Sequence, residues 1–473
     1  MIHFYTDKTT PAGLLIEQSI RQLLSDASGF PQVQHLVIQF THTQFYLPGH
    51  PQLELLALLS IRFDGDLVIE GSVLLASSEL ITLLQSLPDG SSSEHDSLWQ
   101  FCRLHSLPWL RISDPWVLAP VHIPKPWGQE IWYTGIEERG QAGVTANTGS
   151  IPLPWLLELM SVRIGLPEMS APILLKVLDP LADEIYGDLY FELHQEKQEV
   201  YVVTNVDENA WPERVGAIQL GFAMHVRQSY TSDGEFKQAY LHSVKAYEQI
   251  RRKVDSQIDQ KKVAAGLELT QPVGSLDLKK WINELSQDSE NQELFNHERK
   301  LRQAMNDFVA AHPLRVGDVV TVPKLVPHAL QHGVRVVEFQ TPVYERKILS
   351  FAQKVLTQSN WDTEEALGLV NLDFAHLESP ELIGAIPTAK IERIVDFDDF
   401  EVLRIQMDGS YEFQAETYAV LMVLEGQLDI GMDRNNTVNT GQAVLLPVAE
   451  KGWQMISHGT CLFLLASPKH LPK

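Results

Sequence analysis

The stretch Gly187-Asp-Leu-Tyr-Phe-Glu192-Leu-His194-Gln-Glu-Lys197-Gln-Glu199 decides how the rest of the chain is read. In a strand, residues two apart point to the same face. Glu192 and His194 therefore project together, and a turn at 195–197 brings Glu199 back beside them from the next strand. Further along, Gly317-Asp-Val-Val-Thr-Val-Pro323 leads through Pro327 to His328, a histidine set just after a strand and a proline-stiffened turn. Two carboxylates and two imidazoles form a ligand set for one divalent metal, and the donors admit Zn²⁺, Fe²⁺ or Mn²⁺. Singly, each residue has a plainer reading: His194 as a satisfied core histidine, Glu192 as a strand-edge carboxylate. His332, four residues after His328, reads as a neighbour rather than a ligand.

Outward from this segment the texture is mainly β. Short apolar runs such as Pro172-Ile-Leu-Leu-Lys-Val-Leu178 and Val200-Tyr-Val-Val-Thr204 mark residues 116–233. From Gly234 the stretches 240–263, 276–285 and 293–311 carry apolar residues at three- and four-residue spacing among many charges. That is the pattern of solvent-facing amphipathic helices. After Pro313 the β pattern resumes, so residues 116–356 read as a β-domain with a helical insertion at about 235–311. A polar connection over 357–389 precedes a last β-rich block at 390–473. There Gly441-Gln-Ala-Val-Leu-Leu-Pro447 repeats the Gly-x5-Pro form of 317–323, which points to a duplicated β-sandwich. The first 115 residues read as a separate α/β domain: an amphipathic stretch at 14–24, the runs His35-Leu-Val-Ile-Gln-Phe40 and Asp66-Leu-Val-Ile-Glu70, and a helical pattern at 80–87. The loop chemistry of Pro88-Asp-Gly-Ser-Ser-Ser-Glu-His-Asp-Ser97 makes it the best domain linker, and no catalytic motif precedes it.

The 473 residues include 61 acidic and 37 basic side chains, a formal charge of −24, which argues against sequence-independent binding to nucleic acid or an anionic membrane. With hydrophobic residues at 44% and charged residues at 21%, wholesale disorder is excluded. Cys102 and Cys461 alone build neither a disulfide framework nor a thiolate cluster. The opening MIHFYTDKTTPAGLL lacks the form of a signal peptide, and no apolar stretch reaches the ~18 residues of a membrane span. A cytoplasmic location is the expectation.

The two histidine segments resemble the paired motifs of the cupins. Gly187 is followed by four residues rather than five, Glu192 stands at the first ligand position, and Leu325 occupies a usual glycine position. Over about residues 120–356 the chain resembles more closely the type I mannose-6-phosphate isomerases. The matches are Lys125-Pro-Trp-Gly128, Glu130-Ile-Trp132-Tyr-Thr-Gly135, Ile173-Leu-Leu-Lys176-Val-Leu178, Glu192-Leu-His194, Lys197-Gln-Glu199, Pro327-His328-Ala329, Glu338 and Arg346. In that family the first of these ligands is a glutamine, a proline follows the histidine, and a long loop precedes the glutamate; here only four residues separate His194 from Glu199. A second carboxylate in the set would cancel the charge of a 2+ ion and weaken it as a Lewis acid. The last block resembles a degenerate cupin with Ala415, Thr417 and Gly452 at the ligand-equivalent positions, so no metal is expected there.

The resemblance implies two cupin (jelly-roll) barrels, the first with a helical insertion, beside the N-terminal α/β domain. It implies one divalent metal, Zn²⁺ before Fe²⁺ or Mn²⁺, on Glu192, His194, Glu199 and His328. The implied reaction interconverts mannose 6-phosphate and fructose 6-phosphate through an enediolate. Glu338 or Lys197 would move the proton, Arg346 would offset the enediolate charge, and Lys176 or another basic side chain would hold the phosphate, with Trp132 beside the substrate. Against these roles stand solvated lysines, a core Trp132, and an Arg346 paired to Glu345. Glu338 shares a strand face with Val334 and Val336, so its carboxylate needs a partner or a task. The alternative function is a non-catalytic sugar-phosphate sensor on the same scaffold; an iron-dependent cupin oxygenase is a third.

Overall fold

Alternating apolar residues and turn glycines organise the chain into strands. In a computed structural model, thirty-one strands and ten helices lie among the described residues, which are all except 1, 7–9, 26–31, 65, 88–96, 168, 272, 375–378, 415–416, 432–435, 450 and 470–473. The expected linker at 88–97 lies outside them apart from Ser97, which opens the helix Ser97–Leu104; Ala415 lies outside them too. Among the described residues no helix is long and apolar enough to cross a membrane. The chain divides into two compact units, one of Met1–Val121, Trp132–Leu175 and Pro380–Lys473, the other of His122–Ile131 and Lys176–Ser379.

The first unit opens with a five-stranded sheet. Ile2–Tyr5 runs parallel to Gln32–Thr43, and Gln52–Asp64, Asp66–Leu75 and Leu110–Arg111 follow antiparallel. The helix Ala12–Ser25 turns Leu15, Ile16, Ile20 and Leu23 inward, the stripe expected from their spacing. The same unit holds a nine-stranded sheet in which Trp116–Ala119 lies between Gly143–Thr145 and Ala443–Leu446. A four-stranded sheet shares its core, where Leu421, Val423 and Phe463 meet Leu428, Ile430 and Met455.

The second unit is a sandwich of a six-stranded and a five-stranded sheet. The first includes Val319–Val322, Glu199–Val206, Val334–Gln340, Leu174–Pro180 and Gly128–Trp132, in that order. The second orders Val309–Leu314, Gly216–Phe222, His328–Leu330, Phe191–Leu193 and Lys347–Ser350. Tyr201, Val203, Val320, Val334, Ile218 and Leu330 fill the core. Three helices, Asp233–Ala264, Ser275–Gln287 and Ser289–Asn306, interrupt the β pattern. Ser232 caps the first by accepting from the Glu235 N–H. Its Phe236, Tyr240 and Val244 pack on Phe191, Leu193 and Leu349, so this helix covers a sheet face. Gly317 and Gly441 both take positive φ, +91° and +80°, which accounts for glycine opening both Gly-x5-Pro turns.

Candidate metal centre

The short strand Phe191–Leu193 separates two environments. Phe191 and Leu193 face the helical cluster, so Glu192 is turned to the opposite side, where His194 joins it just past the strand end. Register then gathers the other donors. Glu192 pairs directly across from His328, and Glu199 opens the strand that pairs Tyr201 with Glu338. The ligand atoms of His194, Glu199 and His328, all buried, lie within 4.8 Å of one another.

His194 is 1% exposed, and neither of its ring nitrogens has a hydrogen-bond partner. Its Nε2 stands 3.5 Å from Glu199 Oε1 and 3.9 Å from Glu192 Oε1. Burial and the nearby Lys197 ammonium hold its pKa well below the usual imidazole value, so the ring is neutral with a lone pair to offer. In His328, Nδ1 lies 3.2 Å from the Val326 carbonyl and Nε2 lies 3.2 Å from Glu199 Oε2. With Nδ1 donating to that carbonyl, the Nε2 lone pair would be left for a metal, the usual support of a metal-bound histidine. Burial would raise the Glu199 pKa, but Lys197 at 2.8 Å and the contact with His328 hold it well below the ordinary range. Tyr201 donates to Glu199 Oε2 at 2.6 Å. Two imidazole nitrogens and an ionised carboxylate, one histidine unpartnered, fit a divalent metal.

A buried row of charges adjoins this cluster. Lys125 Nζ is 2.9 Å from Glu130 Oε1, Glu130 Oε2 is 4.0 Å from Lys176 Nζ, and Lys176 Nζ is 3.2 Å from Glu338 Oε1. Lys176 and Lys197 are thus buried in ion pairs, not solvated. Burial alone would lower the Lys176 pKa, yet Glu130 and Glu338 hold it above its ordinary value. Glu338 is fully buried and neither oxygen accepts an aligned hydrogen bond. Burial and the Glu199 charge push its carboxyl well above the usual range, against the pull of Lys176.

Arg346 is near Glu192 rather than Glu345: Nη1 is 3.7 Å from Glu192 Oε2, and the guanidinium lies 4.7 Å over the Tyr190 ring. Burial would lower its pKa, but Glu192 holds it above its ordinary value. Glu345 instead accepts the backbone N–H groups of Gln195 and Glu196 and closes the short turn after His194. Trp132 belongs to the first compact unit, buried with Arg139 at 5.0 Å over its ring. His332 is tied to Asp188 at 2.7 Å and stacked on Trp211, a neighbour of the site and not a donor to it. Sequence reasoning missed Tyr201, Glu130 and Lys125 as members of these clusters. The signal for Tyr201 was there, since it lies two residues from Glu199 on one strand face.

No protein-family model and no curated protein matches the chain. Among solved structures, mannose 6-phosphate isomerase from Bacillus subtilis is similar at 17% identity and a TM-score of 0.51, over 75% of this chain and 99% of that one. An alanine mutant of phosphomannose isomerase from Salmonella typhimurium is similar at 14% identity and a TM-score of 0.51, over 76% and 100%. A zinc-bound mannose 6-phosphate isomerase gives 13% and 0.51 over the same shares. At these identities the likeness is one of fold.

Proposed function

We propose that the chain is a metal-dependent aldose–ketose isomerase of a phosphorylated hexose, most simply mannose 6-phosphate and fructose 6-phosphate. The observation that carries the reading is the buried triad of His194, Glu199 and His328 beside the Glu338–Lys176 pair. The two-cupin architecture, with the α/β segment of residues 1–115 as an addition, belongs to the same proposal. When bound on the triad, Zn²⁺ supplies Lewis-acid polarisation of a sugar carbonyl.

The side chains have separate tasks in this reading. Glu338 carries the proton between C1 and C2: its carboxyl is dry and its oxygens accept no aligned hydrogen bond. Lys176, flanked by Glu130 and Glu338, orients that carboxyl, which leaves phosphate recognition to another basic group. Lys197 fixes Glu199 and is the second candidate for the proton transfer. Arg346 offsets the charge of the enediolate.

The test is a coupled isomerase assay on protein stripped of metal and reloaded with Zn²⁺ or Mn²⁺. Metal-dependent fructose 6-phosphate formation is expected, and His328→Ala should remove metal and turnover together. A His328→Ala protein that keeps both sinks the assignment. Sugar-phosphate binding with no turnover under any metal would favour the sensor.

A further inference from the structure

We propose that Glu192 is the counter-ion of Arg346 and not a metal ligand, so that the metal rests on three protein donors, His194, Glu199 and His328. The proposal depends on the metal reading above and departs from the four-ligand set expected from the sequence.

The oxygens of Glu192 face two ways. Oε1 is 3.9 Å from His194 Nε2, whereas Oε2 is buried, accepts no hydrogen bond and lies 3.7 Å from Arg346 Nη1. The guanidinium is otherwise fixed by Nη2 donating to Thr357 Oγ1 at 2.8 Å and by its seat over Tyr190. Only 12% of the Arg346 side chain is exposed, and a buried cation stripped of its carboxylate is an uncompensated charge. Glu345 is anchored elsewhere, its Oε2 accepting the N–H groups of Gln195 and Glu196, while its Oε1 is buried and accepts no hydrogen bond. The metal has less need of Glu192. Its three donors are already gathered, and Glu199 supplies a carboxylate. Charge argues the same way: one carboxylate leaves a divalent centre net positive and able to polarise a carbonyl, whereas two neutralise it.

The experiment measures zinc affinity of the full chain by competition with a chromophoric chelator, for the unmodified protein, Glu192→Ala and His328→Ala. Mass spectrometry follows phenylglyoxal labelling of Arg346 in parallel. Glu192→Ala, which offers no donor atom, should bind zinc within about a hundredfold of the parent, the range of a residue that supports a ligand without being one, and its Arg346 should label several-fold faster. A loss of zinc affinity as large as that of His328→Ala overturns the proposal whatever the labelling does. Unchanged labelling overturns it too. If His328→Ala binds zinc as the parent does, the metal reading fails, and that failure is distinct from the other two. Should Glu192→Ala fold poorly, the melting temperatures of metal-free Glu192→Ala, Arg346→Met and the double variant read the same contact. The pair predicts that the double variant loses less than the two single losses combined; additive losses overturn it.

Discussion

At Leu325 a single side chain shows what the site asks of its backbone. This leucine sits at φ +65°, in the left-handed region, where a Cβ costs about 1–2 kcal/mol. Its N–H donates to the His194 carbonyl at 2.7 Å, so the strained turn anchors a proposed ligand. Part of its side chain packs against the helical cluster, which offsets the strain. Leu325→Gly should therefore change stability by no more than about 1 kcal/mol in urea unfolding, because relief and lost packing oppose each other. Glu338 yields a prediction with a sign. Its folded pKa lies above the unfolded value, so its contribution to stability falls as pH rises past about 4.3, where the unfolded carboxyl ionises first. Glu338→Gln removes that loss, so its melting temperature relative to the parent should climb between pH 5 and pH 8. A pH-independent difference would mean an ordinary carboxyl. The same variant should keep its zinc and lose turnover, as a proton carrier without a proton must.

The strand Phe191–Leu193 serves two clusters with three residues. Leu193 is fully buried against the helices, and Leu193→Ala should cost about 2–5 kcal/mol in unfolding free energy. Zinc stoichiometry at low temperature should survive, because the lost contacts lie on the face away from the donors. A proportional loss of zinc would show that the two faces do not act separately. Much of this element could be read beforehand. The two-residue period brought Glu192 and His194 together, because alternation along a strand is local; His328 joins them by pairing across from Glu192, which is not. The amphipathic stretch at 14–24 and the runs at 35–40 and 66–70 likewise fall in regular elements whose period is local. Partner choice was less legible. That Arg346 meets Glu192 and not Glu345 depends on the strand Lys347–Ser350 pairing with Phe191–Leu193, a contact across some 150 residues that no local pattern encodes. The pairing of Trp116–Ala119 with Ala443–Leu446 is hidden for the same reason, although the sequence grouped residues 116 onward with the strands that follow.

At the scale of the molecule, the nine-stranded sheet draws on distant parts of the chain, with Trp116–Ala119 well inside it. Removing residues 1–121 should leave insoluble or unfolded protein, because the cut takes a strand flanked on both sides. Soluble yield and a cooperative melt of the truncated chain check this, and a normal melt would show the sheet able to close without that strand. The order of synthesis adds a constraint of time. Ala443–Leu446 leaves the ribosome roughly 320 residues after Trp116–Ala119, which at about 5–20 residues per second is a delay of roughly 15–65 seconds. During that interval the early strand is without its late partner, and Trp116, Val117 and Leu118 need shelter from other nascent chains. Expression yield should therefore respond to the rate of translation and the supply of chaperones more than the finished fold's stability would indicate.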